Sequence, residues 1–231
     1  MNLLLLKYED LKTENTAVIS GRRFQHCMQV HQVVVGDTLK IGLVDGLIGS
    51  GEVLFIDELH MELAVEFSQQ PPEKLPLTLI MALPRPKMLK RIFQTCATMG
   101  VSELILINSY RVEKSYWQTP FLQPQKIEEH LLLGLEQGID TRLPKVQMKK
   151  RFKPFVEDEL PSICTGKRAL VAHPYQASPC PGNANAETVL AIGPEGGFIP
   201  YEVEKLREAG FSAISLGSRI LRVETALPVL L

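Results

Sequence analysis

Apolar and polar residues alternate with a spacing of two between residues 38 and 67. The alternating apolar residues are Leu39, Ile41, Leu43, Met61, Leu63, Val65 and Phe67. Asp45-Gly46 interrupts the alternation with a residue pair that is typical of tight turns. Because alternation buries one face of a strand, we predict short half-buried strands joined by tight turns, as in a small antiparallel β-barrel spanning residues 1–70.

The alternation stops in a stretch that contains three prolines. Residues 69–76 read Gln-Gln-Pro-Pro-Glu-Lys-Leu-Pro and show neither strand nor helix spacing. Since proline disfavours the interior of both regular structures, we predict a linker at residues 71–76 and a second domain at residues 77–231.

Beyond the linker, short apolar runs alternate with segments of helical spacing. The predicted strands cover residues 77–83, 101–107, 169–172, 189–192 and 211–215, and the predicted helices cover residues 87–99, 126–137 and 200–209. Strands that alternate with helices form a parallel sheet covered on both faces. The predicted fold class of this domain is therefore α/β.

The composition is that of an ordinary globular chain, since its 231 residues are 45% hydrophobic and carry a net charge of −1. The first apolar run has four residues, which is too short for a signal peptide or a membrane span. Cys27, Cys96, Cys164 and Cys180 lack the paired spacing of a zinc site. We therefore expect reduced thiols in a cytoplasmic protein, with no metal and no membrane partner.

A glycine-rich segment, Gly193-Pro194-Glu195-Gly196-Gly197, lies between the predicted strand at 189–192 and the predicted helix at 200–209. Ligands bind at such strand ends in α/β sheets. The segment lacks the Gly-Lys-Ser/Thr of a phosphate-binding P-loop and the Gly-x-Gly-x-x-Gly spacing of a dinucleotide-binding fold. From these residues alone, a ligand cradle and a tight structural turn are both open interpretations.

A second glycine occurs at a second predicted strand end. Residues 216–226 read Leu-Gly-Ser-Arg-Ile-Leu-Arg-Val-Glu-Thr-Ala and run from the strand at 211–215 into a predicted final helix. This repetition favours a ligand site. Arg219 and Arg222 are three residues apart, so on a helical turn they would share a face. The simpler interpretation of that face is a solvated basic surface with Glu224 as a salt-bridge partner.

Basic residues form three further clusters. They are Arg22-Arg23; Arg85, Lys87, Lys90 and Arg91; and Lys145, Lys149, Lys150, Arg151 and Lys153. Such clusters in a chain of net charge −1 suit a phosphate-binding face, and scattered solubilising side chains explain any single cluster equally well. Trp117 and the tyrosines show no spacing of a stacking array. His173 ends a predicted strand, where a capping role is the simpler interpretation.

Two segments carry a resemblance to a known family. Residues 190–198 read Leu-Ala-Ile-Gly-Pro-Glu-Gly-Gly-Phe, Glu202 follows, and residues 216–226 complete the pair. Together they resemble the paired signature of the SPOUT methyltransferases, most closely the ribosomal small subunit RNA methyltransferase E family, which methylates N3 of a uridine in 16S ribosomal RNA. The resemblance implies a PUA-like β-barrel followed by an α/β domain with a deep trefoil knot. In this family the closing helix usually extends past the position of Leu231.

The resemblance also implies the site and its cofactor, S-adenosylmethionine. The implied cofactor-binding residues are His173, Gly193, Pro194, Glu195, Gly196, Gly197, Leu216, Gly217, Ile220 and Leu221. Uridine N3 becomes a good nucleophile only when its proton leaves, and a cationic group would stabilise the resulting uridinate. Arg222, oriented by Glu224, is the catalytic candidate.

The implied partners are ribosomal RNA or the small ribosomal subunit, and a second copy of the chain in a homodimer built through the methyltransferase domain. The residues expected to contact RNA are Arg22, Arg23, Arg85, Lys87, Lys90 and Arg91.

At several positions this chain has a residue other than the one that is usual in the family, and some of the usual residues are charged. These positions are His31, Gln32, Thr95, Thr98 and Asp140. The cofactor segments are intact, so methyl transfer is the first hypothesis and the RNA position is open. The alternative hypothesis is an RNA-binding protein of the same fold that keeps the cofactor pocket but has lost or redirected the reaction.

Overall fold

The computed structural model describes residues 2–182 and 186–231. Met1 and residues 183–185, which belong to the predicted domains, lie outside the described residues. Internal contacts divide the chain into two compact units. The first comprises Met1–Glu73 and Leu131–Leu143, and the second comprises Lys74–His130 and Pro144–Leu231.

The first unit contains a curled sheet. Its strands are β1 (Leu4–Leu6), β2 (Leu11–Thr13), β3 (Thr16–Ser20), β4 (Thr38–Leu43), β5 (Ile48–Ile56) and β6 (His60–Gln69). Their order is β1-β4-β5-β6-β3-β2, with β1 parallel to β4 and the other neighbours antiparallel. Helix α1 (Gly21–His26) follows β3 and continues into a π-helical turn at Cys27–His31. The strands predicted between residues 38 and 67 are confirmed.

The alternation of the sequence sets which face of this sheet is buried. Met61, Leu63 and Val65 on β6 are each at most 5% exposed, and they pack in one core with Ile19 and Ile41. Glu62 and Ala64, which lie between them, are less buried because successive side chains of a strand point to opposite faces. A one-residue shift in register would expose this whole set, so the pattern fixes the pairing.

Residues 131–143 belong to the first unit because they bond to its tight turn. The Asp45 N–H donates to the Thr141 carbonyl at 2.8 Å, and the Thr141 hydroxyl donates to the Gly46 carbonyl at 2.5 Å. The Asp45 carboxylate accepts a bond from the Leu143 N–H at 2.9 Å. The sequence pattern predicted the turn at Asp45-Gly46 but not this grouping.

Asp140 has a structural role in the same segment. Its side chain is only 3% exposed, and its carboxylate accepts bonds from the N–H groups of Thr141 at 2.7 Å and Arg142 at 3.0 Å. Asp140, one of the positions at which the chain departs from the family, therefore does not belong to the charged surface, because its buried carboxylate caps its own backbone.

The predicted linker is shorter in the structure, since Leu75 and Pro76 begin strand β7 (Leu75–Ala82). Pairing with one neighbouring strand starts at Leu77, and pairing with the other breaks register between Leu75 and Thr78. Pro76, which has no N–H, thus lies where neither ladder requires a donor. This placement is why a proline near the start of a strand was misread as linker.

The second unit contains a sheet in which every pairing between described strands is parallel. Beside β7, its strands are β8 (Val101–Ile107), β9 (Lys145–Lys149), β10 (Arg168–Ala172), β11 (Ser178–Pro179), β12 (Thr188–Ile192) and β13 (Ser212–Ser215). The order is β11-β13-β10-β12-β7-β8-β9. The α/β class and the predicted strands of this region are confirmed, whereas β9 and β11 were not predicted.

Helices lie between and after these strands along the chain, and the last part of one of them, residues 131–138, belongs to the first unit. They are α2 (Pro86–Thr98), α3 (Pro124–Gly138), α4 (Phe152–Pro154), α5 (Leu160–Cys164), α6 (Pro200–Glu208) and α7 (Val223–Leu230). The helices predicted at 87–99, 126–137 and 200–209 correspond to α2, α3 and α6.

Helix α2 shows how the 3.6-residue period separates core from surface. Its buried residues are Leu89, Ile92, Phe93, Cys96 and Ala97, and its basic residues lie on the exposed side. Burial raises the pKa of the Cys96 thiol to about 12, which keeps it protonated and unreactive. All four cysteines are free, as the sequence predicted.

The predicted helical face shared by Arg219 and Arg222 is wrong. Helix α7 begins only at Val223, and Arg222 precedes it as the N-cap residue, whose carbonyl accepts the N–H groups of Thr225 at 3.0 Å and Ala226 at 2.8 Å. Residues 216–222 form an irregular loop instead, since Gly217 follows β13 with a positive φ of 106° and ends the regular backbone.

Candidate active site

Three loops meet at the carboxyl edge of the parallel sheet. They follow β10, β12 and β13, which are neighbours in the sheet, and they enclose a cavity of ≈ 520 Å³. Every residue implied in cofactor binding lines this cavity: His173, Gly193, Pro194, Glu195, Gly196, Gly197, Leu216, Gly217, Ile220 and Leu221. Parallel strands bring their carboxyl ends to one edge, which is why segments distant in sequence converge here.

The loop after β12 forms a tight turn and also leaves open space beside Gly197 that a ligand could occupy. The Gly197 N–H donates to the Pro194 carbonyl at 2.7 Å, which closes the turn. Gly197 has a φ of 73°, a left-handed conformation that favours glycine, and a Cβ built on it would meet no atom within 4 Å. The two interpretations that the sequence left open are therefore compatible.

The loop after β13 presents unpaired backbone to the cavity. Among residues 2–182 and 186–231, no hydrogen bond uses the N–H or carbonyl groups of residues 217–221. Ile220 is 74% exposed although it lines the cavity. Backbone donors and acceptors that lack internal partners must bond to water or to a ligand, so this loop can hold a polar small molecule.

Two contacts brace the glycine loop from outside. The Glu195 carboxylate accepts a bond from the Arg85 N–H at 3.2 Å and lies 3.8 Å from the Arg85 guanidinium. The Arg111 guanidinium donates to the Gly196 carbonyl. These contacts tie the loop to the segments that follow β7 and β8, so Glu195 has a bracing role as well as a place in the cavity lining.

Glu202 makes a third brace, and this one is buried. The side chain is 3% exposed, and its carboxylate accepts bonds from the N–H groups of Tyr110 at 2.7 Å and Ile199 at 3.0 Å. One oxygen therefore holds the segment after β8, while the other holds the start of α6. Glu202 belongs to the sequence signature, and this contact gives it a structural reason.

His173 follows β10 directly and lines the cavity. Its N–H donates to the Ile214 carbonyl at 2.9 Å, and its ring meets that of Tyr175 edge-on at a centroid distance of 5.9 Å. Burial, and to a lesser extent the charge of Arg207, lowers the pKa of His173 below its ordinary value. The imidazole is therefore neutral at pH 7, which suits a positively charged ligand.

The two catalytic candidates lie beside the cavity rather than in its lining. Arg222 is exposed and Glu224 lies in the first turn of α7. Within the described part of the chain, no hydrogen bond or ion pair joins their side chains. Arg219, in contrast, lines the cavity. The predicted salt bridge between Arg222 and Glu224 is thus not formed.

The RNA-contact candidates of the first unit are engaged within that unit. The Arg23 guanidinium bonds to both oxygens of Asp10, at 2.6 and 2.8 Å, and to the Leu5 carbonyl at 2.7 Å. Arg22 bonds to the Glu136 carboxylate at 2.7 Å. Arg23 therefore serves internal packing, since a bidentate, half-buried ion pair leaves little charge for phosphate.

The candidates of the second unit are exposed around helix α2. Arg85 precedes the helix, and Lys87, Lys90 and Arg91 are exposed on it. The Lys90 ammonium lies 4.6 Å from the centroid of the Phe121 ring, a cation–π contact. Lys87, Lys90 and Arg91 remain available to a polyanion, whereas Arg85 also pairs with Glu195.

Sequence reasoning gave no role to Arg111, although it lines the cavity. The signal was present, since Arg111 follows the apolar run of β8 within a few residues and so lies at the ligand-binding edge of the sheet.

Among residues 2–182 and 186–231, no group of three or more His, Cys, Asp or Glu side chains is placed to hold a metal ion. In the same described ranges, no helix has the length and apolar character to cross a membrane.

Comparison with known proteins places the chain in a family. Ribosomal RNA small subunit methyltransferase E of Treponema pallidum is 28% identical over 233 residues, covering 98% of this chain and 87% of that protein. Ribosomal RNA small subunit methyltransferase E 1 of Borreliella burgdorferi is 26% identical over 230 residues, covering 98% of this chain and 94% of that protein.

A solved structure shares the fold. The crystal structure of a ribosomal RNA small subunit methyltransferase E from Neisseria gonorrhoeae bound to S-adenosyl methionine matches with a TM-score of 0.73 at 18% identity, covering 98% of this chain and 94% of that chain. The model of the RNA methyltransferase domain family matches residues 71–231. With most of its length matched by this model, the chain belongs to the RNA methyltransferase domain family.

Proposed function

We propose that this protein is an enzyme that transfers a methyl group from S-adenosylmethionine to N3 of a uridine in 16S ribosomal RNA. The observation that carries the proposal is the convergence of His173, the glycine loop and the loop at 216–221 on one cavity. Family membership supports RNA methylation, and the names of the relatives support ribosomal RNA of the small subunit as the substrate.

The chemistry of the cavity fits the cofactor. The open N–H and carbonyl groups of residues 217–221 can bond to its adenine and amino acid portions, and Leu216 and Leu221 offer apolar surface to the ring. The neutral His173 avoids repulsion of a sulfonium cation. When bound, S-adenosylmethionine supplies an activated methyl group, so the protein has mainly to align the nucleophile at close range.

The protein must also deal with the proton on uridine N3. Arg222 lies between Leu221 and Val223, which both line the cavity, so its guanidinium can reach an atom at the cavity mouth. There it would stabilise the developing uridinate. Glu224, in the first turn of α7 and unpaired with Arg222, is available to orient the arginine or the substrate when RNA binds.

We also propose the finer features of the fold that the family resemblance implies. The curled sheet of the first unit serves as a PUA-like barrel that binds RNA, and the second unit, whose first strand begins within the predicted linker, forms the methyltransferase domain with a trefoil knot. The knot is supported by the strand order, in which β12 lies between β7 and β10, so that the chain returns into the middle of the sheet. The enzyme would act in the cytoplasm on RNA of the small ribosomal subunit.

A homodimer built through the methyltransferase domain is part of the same proposal. Helix α7 leaves Val229 57% exposed beside Leu230 and Leu231, and burying apolar surface of this kind favours association. We expect sedimentation velocity at micromolar concentration to give the mass of two chains. A single species of monomer mass would contradict this expectation.

The alternative function is an RNA-binding protein that keeps the cofactor pocket but has lost or redirected the reaction. Gln32, Thr95 and Thr98, where the family usually has charged residues, favour it. Asp140 no longer does, because its carboxylate is buried.

Mass spectrometry of ribosomal RNA tests the proposed function against the alternative. A strain that lacks the gene should lose one 3-methyluridine from 16S ribosomal RNA, and a plasmid copy of the wild-type gene should restore it. Retention of every methyluridine in the deletion strain would contradict the proposed function and favour the alternative.

A further inference from the structure

The carboxyl ends of β8 and β9 carry basic and aromatic side chains, of which only Arg111 also lines the proposed cofactor cavity. We call the group formed by Tyr110, Arg111, Lys114, Lys150 and Arg151 the β8–β9 edge surface. The two strands are parallel neighbours in which Ile107 pairs with Lys149. The Asn108 N–H donates to the Lys149 carbonyl at 3.0 Å, so the segments that follow the strands start side by side.

This surface is continuous with the cavity at the glycine loop. The Arg111 guanidinium bonds to the Gly196 carbonyl. The Phe152 ring, directly after Arg151, lies 6.4 Å from that of Phe198, which follows the glycine loop. A polymer with one nucleotide at the cavity mouth would therefore run over this edge.

The positive charges on the surface are available. Arg151 and Lys114 are exposed, and in the described ranges neither has an ion pair. The Lys150 ammonium lies 5.9 Å from the centroid of the Trp117 ring, and the Trp117 indole N–H donates to the Asn108 side chain at 2.9 Å. An ammonium held over an aromatic face keeps its charge, so it can still meet a phosphate.

The neighbouring carboxylates are mostly neutralised by other lysines. Glu159 pairs with Lys149 at 2.6 Å, and Glu157 pairs with Lys205 at 3.3 Å. Glu113 accepts a bond from the Tyr116 hydroxyl at 3.1 Å and is the acidic side chain nearest in sequence to Lys114. The surface is thus positive despite the net charge of −1 of the whole chain.

Tyr110 adds a feature that a simple anion site would not need. Its ring is 79% exposed, while its backbone N–H is held by the buried carboxylate of Glu202 at 2.7 Å. An exposed ring on a fixed backbone provides a face on which an unpaired base can stack. Bases are free to stack in this way in single strands, not within an A-form duplex.

We infer that the β8–β9 edge surface binds the single-stranded RNA that flanks the target nucleotide, with Lys150 and Arg151 contacting phosphates and Tyr110 stacking on a base. This inference rests on the proposed function and adds to it a path for the substrate. Basic charge alone would equally suit an acidic protein, whereas the exposed ring and the adjoining nucleotide-sized cavity favour RNA.

The test compares two double variants of equal charge change. Lys150→Gln with Arg151→Gln removes two charges from the surface. The matched control, Lys145→Gln with Lys167→Gln, removes two lysines at the amino ends of β9 and β10, at the opposite edge of the sheet, where they pair with Glu103 at 3.0 Å and Glu187 at 3.8 Å. The probe is a labelled oligouridine of about 12 nucleotides, within the length range of known single-strand sites.

Binding is measured across a series of salt concentrations. Each phosphate contact to single-stranded RNA contributes about 0.7 to the slope of log K against log salt, so the surface variant should lose about 1.4 from that slope while the control stays near wild type. Tyr110→Ala should weaken binding about tenfold, and Tyr110→Phe, which keeps the ring, should not.

Calorimetry with S-adenosylmethionine on the same samples separates this inference from the proposed function. If all variants bind the cofactor but the surface variant and its control show equal salt slopes, or if wild type does not bind the oligouridine, the inference is overturned and the proposed function stands. Equal binding of polyglutamate would overturn the assignment to RNA. If the wild-type protein neither binds S-adenosylmethionine nor forms methyluridine, the proposed function is refuted instead.

Discussion

Replacing Gly197 by valine should abolish the binding of S-adenosylmethionine while leaving a folded protein. Gly197 lines the cavity with a φ of 73°, and the space beside it is open. A β-branched residue resists this left-handed conformation, and its methyl groups would occupy the open space. We expect the affinity measured by titration calorimetry to fall about 100-fold or more, which corresponds to about 3 kcal/mol of binding free energy.

Gly166 offers a matched control for this substitution. It has the same φ of 73°, and a Cβ built on it also meets no atom within 4 Å. It lies in the turn between α5 and β10, away from the residues that line the cavity. Gly166→Val should therefore lower the melting temperature about as much as Gly197→Val but leave the cofactor affinity unchanged. Wild-type affinity in Gly197→Val, or lost affinity in both variants, would show that the cofactor site lies elsewhere.

Replacing Arg222 by alanine should lower the turnover number about 100- to 1000-fold, the usual effect of removing one group that stabilises a developing anion. The S-adenosylmethionine affinity should stay near the wild-type value, because Arg222 is exposed and is not part of the cavity lining. A role confined to the transition state lowers kcat without weakening ground-state binding. Single-turnover methylation of small-subunit ribosomal RNA and calorimetry measure the two quantities separately.

Arg219 provides the comparison for Arg222. It lies three residues earlier in the same loop and lines the cavity, so Arg219→Ala should chiefly change the cofactor affinity. If Arg222→Ala loses cofactor binding at unchanged stability, Arg222 is a pocket residue and the catalytic assignment is wrong. If Arg219→Ala alone abolishes turnover with intact binding, the catalytic cation is Arg219.

The sequence by itself determined the fold class of the second unit and several strands and helices of both units. Alternation at spacing two marked β4 and β6, because each strand has one buried face. Helical spacing with a following glycine marked α2 and α6, whose ends carry Gly100 and Gly210 with positive φ. The glycine segments at two strand ends also indicated the cavity residues, since the ends of parallel strands must converge. These features depend on the local spacing of apolar residues and on the positions of glycines, and both can be read directly from the sequence.

Only the tertiary structure decided which charges are free. Arg22-Arg23 and Lys150-Arg151 are both pairs of adjacent basic residues in the sequence. In the fold, however, Arg23 is bonded to Asp10 and Arg22 to Glu136, whereas Arg151 is exposed. Asp140 is charged in sequence and buried in the fold. The partner of a long side chain can lie more than one hundred residues away, as Glu136 does from Arg22, so no local pattern reports it.

The tertiary structure also decided the irregular segments. Arg219 and Arg222 have helical spacing, but residues 216–222 form a loop in which Gly217 has a positive φ, and the helix starts only at Val223. Leu75 and Pro76 have a linker composition but begin β7, because the ladder needs no donor from Pro76. Leu131–Leu143 joins the first unit through bonds to the turn at Asp45. In each case the conformation depends on which backbone groups find partners elsewhere in the fold, and that information exists only once the chain has folded.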